Sequence, residues 1–250
     1  KEALKEDIGY GDISTDYVCA HLKGDEIFEV NLRTRQDGIF CGREVFEIVF
    51  DVLSNGKVEV EFFVDDGDEM KKGDILAKIK GFPRYVLTGE RLALNFVQRM
   101  SGIATYTKKF VDILAPYGVK MADTRKNTPN FRMFEKYSAA IGGATLHRFN
   151  LCDCIMLKDN HIALLGGNIK EAVQKVKEFN SHAHKIEVEC DKFEQVKEAI
   201  EAKVDIIMLD NMTLDEIKKC TEFINKRAIV EISGNVKLET LPELAKTGVD

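Results

Sequence analysis

Short stretches of alternating apolar and polar residues open the chain. Glu26 to Leu32 and Val58 to Val64 each alternate between Gly and Asp turns, which predicts strands of an antiparallel or mixed sheet. The segment FFVDDGDEMKKGDILAKIKG predicts a hairpin whose tight turns fall at Gly67 and Gly73. From Gly89 to Leu114 the spacing becomes helical: Leu92, Phe96, Val97, Ile103, Tyr106, Phe110 and Leu114 fall on or near one face, with a break expected at Gly102.

Beyond Gly118 a third pattern sets in, in which a short apolar strand ending on polar residues is followed by an amphipathic helix. The predicted strands are VKMADTR, CIMLKDNH, KIEVEC, VDIIMLDN and RAIVEISG. Helix starts are expected at Asn168, at Asp191 with Glu194 three later, and at Thr213 with Glu216 three later, the last two in capping-box spacing. Strand and helix in alternation imply parallel β/α units with right-handed crossovers. The fold class expected is therefore α/β. An N-terminal α/β sandwich domain with its connecting helix occupies residues 1–102, and an incomplete parallel α/β, TIM-like barrel carrying the active site occupies 103–250. Only five strands are legible, so a further closing strand is expected beyond Asp250.

Composition narrows the partners. The chain has 250 residues, 44% hydrophobic and 31% charged, with a formal charge of −6, which excludes disorder and argues against a broad basic surface for nucleic acid or an anionic membrane. No apolar stretch approaches the roughly 18 residues of a membrane span, and a soluble cytoplasmic protein is expected. Six cysteines, at 19, 41, 152, 154, 190 and 220, form neither a dense disulfide ladder nor a zinc pair and are expected to be reduced.

Each predicted barrel strand ends on residues a buried strand avoids: Arg125 and Lys126; Lys158 with Asn160 and His161; Glu187 and Glu189; Asp210 and Asn211; Ser233 and Gly234. In β/α barrels that C-terminal rim carries the active site, although some of these residues could equally serve as helix caps or ion-pair partners. In IEVE the two carboxylates share one face and Ile186 and Val188 the other, so Glu187 and Glu189 are expected inside the barrel. There they need cations, for which Lys126, Lys158 and a hydrated Mg²⁺ are candidates. Residues 121–161 carry six Lys or Arg against four acids, a net of +2 in a chain of −6. Such a run suits a polyanionic ligand, because Arg forks bind carboxylate and phosphate bidentately; a structural ion-pair network is the alternative. Lys158 could also be a Schiff-base lysine. The Ser233-Gly234-Asn235 turn, between a late strand and a helix, places backbone N–H groups where a barrel commonly binds phosphate.

The segments GERLALNFVQRMSGIATYT, DTRKNTPNFRMFEKYSAAIGGATLHRFNL, MLKDNH, IEVEC, IMLDN and EISGNV, with EDIGYGDIST near the start, resemble in order and spacing the motifs of the quinolinate phosphoribosyltransferase family. The resemblance implies transfer of phosphoribosyl from phosphoribosyl pyrophosphate to quinolinate with decarboxylation. The products are nicotinate mononucleotide, pyrophosphate and carbon dioxide, with Mg²⁺ as cofactor. It implies a homodimer or a hexamer of dimers in which Arg91 crosses into the neighbouring site. By position, Arg125, His147, Arg148 and Lys158 match cations around the dicarboxylate, and Lys126 matches a residue near the pyrophosphate. Glu189 and Asp210 match the acids that hold the ribose hydroxyls and hydrated Mg²⁺, and Ser233 and Gly234 match the 5′-phosphate loop. Lys126, Glu189 and Asp210 would be the catalytic set. The chain departs from the motifs at Asn130, in place of Gly, and at Leu146, in place of a small polar residue. A related type II phosphoribosyltransferase and a non-catalytic dicarboxylate- or phosphate-binding protein are the competing readings.

Overall fold

The computed structural model describes residues 1–24 and 26–250. It divides the chain into two compact units, residues 1–108 with 127–144 and residues 109–126 with 145–250.

The first unit contains α1 (Glu2–Ile8), α2 (Ile13–Val18), β1 (Phe28–Arg33), β2 (Gly38–Ile39), α3 (Arg43–Ser54), β3 (Glu59–Phe62), β4 (Glu69–Met70), β5 (Ile75–Gly81), α4 (Pro83–Leu114) as far as Lys108, and α5 (Arg132–Ile141). Strands β1, β5 and β3 form an antiparallel sheet in that order, and β2 pairs with β4. Gly67 and Gly73 both take positive φ, 102° and 100°, at the two turns where only glycine is free of strain. The sheet packs on α3 and α4 through Phe40, Phe46, Phe50, Ile79, Val86 and Val97. Helix α3 is capped from a distance: the N–H groups of Gly42 and Arg43 donate to Asp66 Oδ1 at 2.9 and 3.0 Å, so a carboxylate meets the positive end of the helix. Helix α4 runs for 32 residues and starts at a proline, the residue best suited to a first helical position. The expected break at Gly102 is absent: a glycine costs only about 1 kcal/mol in a helix interior, and the flanking residues Met100, Ser101 and Ala104 are buried.

The second unit contains β6 (Ile155–Leu157), α6 (Asp159–Ala163), α7 (Ile169–Phe179), β7 (Ile186–Cys190), α8 (Phe193–Glu201), β8 (Ile206–Asp210), α9 (Leu214–Ile224), β9 (Ile229–Ser233) and α10 (Leu241–Ala245). Strands β6 to β9 are parallel and adjacent in sequence order, joined by helices, as the alternating pattern requires. The first of the five predicted strands, VKMADTR, is reduced to a parallel bridge between Ala122 and Thr145. Single-residue contacts carry the ladder there: Asp250 N donates to Val230 O, Lys120 N to Asp250 O, and Thr145 N to Met121 O. The outward face of β7 to β9 presents Ile186, Val188, Cys190, Ile207, Leu209 and Val230 to Ala172, Val173, Val196, Ala199 and Ile217 of the helices. Two of the three helix starts are as expected, Asn168 and Thr213 each accepting from the N–H three residues on. The start expected at Asp191 falls one residue later, at Lys192, and the N–H groups of Asp191 and Lys192 donate to Gln195 Oε1 rather than to Glu194.

Candidate functional site

With the apolar residues of β6 to β9 turned to the helices, the alternate positions share the opposite face. Registry pairs Met156 with Glu187, Glu189 with Met208, Met208 with Glu231 and Asp210 with Ser233. Side-chain contacts sort these residues into two layers: a lower one in which Glu187 and Glu231 converge on His147, and an upper one of Lys158, Glu189, Asp210 and Ser233 at the C-terminal ends of the strands.

In the upper layer Lys158 Nζ bonds Glu189 Oε2 at 2.5 Å, with Glu189 only 18% exposed. Lys158 is therefore an ion-pair partner. His161, three residues on, caps the helix after it: Lys158 N donates to His161 Nδ1 at 3.0 Å, so His161 serves the backbone of α6. Asp210 Oδ2 accepts from Asn211 Nδ2 at 2.7 Å. The turns after β8 and β9 are locked together, since Asn211 N donates to Ser233 O at 3.1 Å. Asn211, Gly234 and Asn235 all take positive φ at this rim. A side chain on Gly234 has no room: its Cβ would lie 2.1 Å from Asn211 Oδ1 and 3.0 Å from Asn211 N.

In the lower layer the partner of Glu187 is a histidine rather than a lysine. His147 Nε2 lies 3.1 Å from Oε2 of the fully buried Glu187 and 3.6 Å from Oε2 of Glu231. Hydrogen bonding and charge from Glu187, with a contribution from Glu231, raise the pKa of His147 above its ordinary value against the opposing effect of burial. Burial, and then the charge of Glu187, push the Glu231 carboxyl up as well. His147 N donates to Asp123 Oδ1 at 2.7 Å, and Arg148 N donates to His147 Nδ1 at 2.8 Å. The Arg148 guanidinium reaches Cys154 O at 3.3 Å and Met156 Sδ at 3.0 Å. Glu231 was not among the expected site residues. Its signal was present in IVEIS, where it has the same parity on β9 as Glu187 on β7, read across the intervening β8.

Arg125 and Lys126 follow the Ala122 bridge. Arg125 Nε is buried without a hydrogen-bond partner, a state that costs about 1–3 kcal/mol unless a ligand supplies the acceptor. Lys126 is exposed, and its backbone N donates to Thr124 Oγ1 at 3.1 Å. The cationic run read from residues 121–161 is divided between the units: Arg125, Lys126, His147, Arg148 and Lys158 belong to the second, Arg132 and Lys136 to the first. Lys136 is 2% exposed, and Arg91 stands on the exposed side of α4 in the first unit.

The turn after Lys126, in the first unit, is organised by one buried carboxylate. Glu135 accepts from Arg99 Nη2 at 2.7 Å, Thr128 Oγ1 at 2.8 Å, Thr128 N at 3.1 Å and Asn127 Nδ2 at 3.3 Å. Burial would raise its pKa, but the bonds from Arg99, Thr128 and Asn127 together hold it below the usual carboxylate value. Asn130, the departure from glycine, takes φ 62°, the left-handed conformation that Asn tolerates best among residues with a side chain.

Residues 103–250 match the family model for the quinolinate phosphoribosyl transferase C-terminal domain, and residues 12–101 match that for the N-terminal domain. The chain is 40% identical over 245 residues to a probable carboxylating nicotinate-nucleotide pyrophosphorylase of Bacillus subtilis, covering 98% of this chain and 83% of that protein. A protein of the same description from Synechocystis is 38% identical over 250 residues, with 99% and 83% covered. Among solved structures, NadC from Streptococcus pyogenes superposes with a TM-score of 0.93 at 39% identity, covering 100% of this chain and 86% of that one. A nicotinate-nucleotide pyrophosphorylase from Ehrlichia chaffeensis gives 0.92 at 40% identity, covering 100% and 89%.

Proposed function

The chain belongs to the quinolinate phosphoribosyltransferase family, and from that premise we propose how its own residues divide the work. The reaction transfers phosphoribosyl from phosphoribosyl pyrophosphate to quinolinate and releases pyrophosphate and carbon dioxide, leaving nicotinate mononucleotide. The observation that carries the assignment of roles is the rim itself: a lysine, two acids and a positive-φ glycine turn stand at the ends of four adjacent parallel strands.

Arg125, Arg148 and Lys158, with His147 among them, form the basic group for the two ring carboxylates. At an effective dielectric near 20, a cation about 4 Å from a carboxylate gains roughly 4 kcal/mol before desolvation, enough for three such contacts to fix the ring. Lys126 faces the leaving pyrophosphate, and the Ser233-Gly234 turn offers its N–H groups to the 5′-phosphate. As the ring nitrogen bonds the ribose C1 and the C1–oxygen bond to pyrophosphate breaks, positive charge grows on the ribose, and the carboxylates of Glu189 and Asp210 stabilise it. The ring then carries a positive nitrogen beside the carboxylate at position 2. The carbon–carbon bond to that carboxylate breaks, its electron pair stays on the ring, carbon dioxide departs, and a proton fills the position.

Glu189 and Asp210 supply hard oxygen donors from neighbouring strand ends, the donor type that suits a hydrated Mg²⁺. Bound there, Mg²⁺ supplies charge neutralisation of the pyrophosphate. We place the enzyme in the cytoplasm as a homodimer or hexamer of dimers, with Arg91 shared across the interface; the exposure of Arg91 on α4 and the six free cysteines support this. Among the described residues, no helix is long and apolar enough to cross a membrane.

The test is product formation. With quinolinate, phosphoribosyl pyrophosphate and Mg²⁺, carbon dioxide and nicotinate mononucleotide should appear in equal amounts. Turnover of nicotinate but not quinolinate would overturn the assignment.

A further inference from the structure

The acid at the end of β8 and the turn after β9 come from different strands, yet one side chain reaches both. Asn211 directly follows Asp210, and its amide nitrogen donates to Asp210 Oδ2 at 2.7 Å. Its amide oxygen reaches the turn: a Cβ at Gly234 would stand 2.1 Å from it, and Asn235 Nδ2 lies 3.5 Å away. The notch left by the missing side chain of Gly234 is thus filled by Asn211.

The backbone fixes the residue as well. Asn211 N donates to Ser233 O at 3.1 Å, beside the registry pair of Asp210 and Ser233. Its φ of 54° is a left-handed value that Asn tolerates better than most residues with a side chain. Asn211 is exposed, so water would satisfy its amide, and neither contact is required to cover a buried polar group.

We propose that Asn211 is a positioning residue for the ribose 5-phosphate part of the substrate, setting the plane of the Asp210 carboxylate and its spacing from the Ser233-Gly234 turn. This rests on the reading above that Asp210 meets the ribose and the turn meets the 5′-phosphate. The terminal torsion of an aspartate is broad, so an untied carboxylate at a strand end presents its oxygens over a wide arc. A bond from the amide to a charged oxygen is of the stronger, charge-assisted kind, and with Oδ2 held the position of Oδ1 follows. The ribose hydroxyls and the 5′-phosphate belong to one small ligand. Tying carboxylate and turn together removes ordering that binding would otherwise impose.

Glycine separates this role from a purely structural one. Asn211→Gly keeps the backbone N–H and takes positive φ without strain, but it removes the amide. Asn211→Asp keeps the shape and tolerates the left-handed backbone, but it sets an acceptor in place of the donor beside Asp210.

The experiment is phosphorus NMR titration of the full chain with ribose 5-phosphate and, separately, with inorganic phosphate, both without Mg²⁺. Asn211→Gly should lose about tenfold in affinity for ribose 5-phosphate while inorganic phosphate stays within about threefold of wild type, and Asn211→Asp should lose at least as much. In an Asp210→Ala background, Asn211→Gly should cost less than about twofold, because the amide acts through the carboxylate. Equal cost in both backgrounds would overturn the positioning role, as would equal losses for the two ligands. Ribose 5-phosphate affinity within about threefold of wild type in both Asn211 variants would overturn it too. Asp210→Ala that binds ribose 5-phosphate no more weakly than wild type would instead overturn the assignment of Asp210 to the ribose.

Discussion

Replacing Gly234 by alanine tests the phosphate-loop assignment through a geometry the structure fixes closely. The residue sits at φ 89°, where an L-residue pays roughly 1–2 kcal/mol. The new Cβ would fall 2.1 Å from Asn211 Oδ1 and 2.7 Å from Cγ, contacts that the Asn211 side chain can relieve only by abandoning its 2.7 Å bond to Asp210. It would also fall 3.0 Å from Asn211 N, which cannot rotate away because it donates to Ser233 O. Overpacking of this kind costs about 1–3 kcal/mol. The total is about 2–5 kcal/mol, and the exposed turn can meet it by shifting rather than by unfolding the unit. The expected result is a rise in KM for phosphoribosyl pyrophosphate of roughly thirtyfold or more, at about 1.4 kcal/mol per factor of ten. Quinolinate affinity should change less than threefold. Steady-state kinetics with each substrate varied in turn measures both. Adding Asn211→Ala to the variant should restore part of the loss, because it removes the side-chain clash while leaving the backbone contact and the φ penalty. A KM for phosphoribosyl pyrophosphate within twofold of wild type in Gly234→Ala would refute the reasoning.

Two further outcomes concern stability and reactivity. Glu135→Ala strands four donors in the first unit and should destabilise it by about 3 kcal/mol. The thermal midpoint should then fall by roughly 6–12 °C in scanning calorimetry. Because the native pKa of Glu135 is lowered, its contribution is present above the usual carboxylate pKa of about 4.3 and is lost as pH falls through the native value, so wild type and Glu135→Gln should converge on acidification. A constant difference from pH 7 to pH 3 would contradict this. Burial pushes the thiols of Cys41 and Cys190 up to about 12, while Cys152 is exposed. A thiol reagent at pH 8 should label Cys152 first in the native chain and all six only after denaturation, and labelling of Cys41 or Cys190 at the Cys152 rate would show that the native packing is wrong.

Much of the site was legible where one strand carries the information. Alternation in IEVE was enough to turn Glu187 and Glu189 inward, because Ile186 and Val188 have to meet the helices. The rim residues followed from their recurrence at strand ends. What remained illegible was pairing between strands. Glu187 was expected to meet a lysine and instead meets His147, forty residues earlier, and Glu231 joins them only through registry. VKMADTR has the composition of a strand, yet its ladder partners are single residues at 145 and 250, which no local pattern displays. The charge count over residues 121–161 likewise could not show that Lys136 lies buried in a different unit from Lys158.

The assignment of residues 127–144 to the first unit has a consequence for how the chain comes to be folded. The polypeptide passes between the units three times, at 108/109, 126/127 and 144/145. During synthesis the first unit lacks α5, with Phe134 and Ile141 against Met100 and Ala104, until the ribosome has delivered Ala144. By then residues 109–126 of the second unit have already been made and wait for strands not yet translated. Neither unit is a contiguous fragment, so a single cut in the chain cannot separate one unit whole from the other.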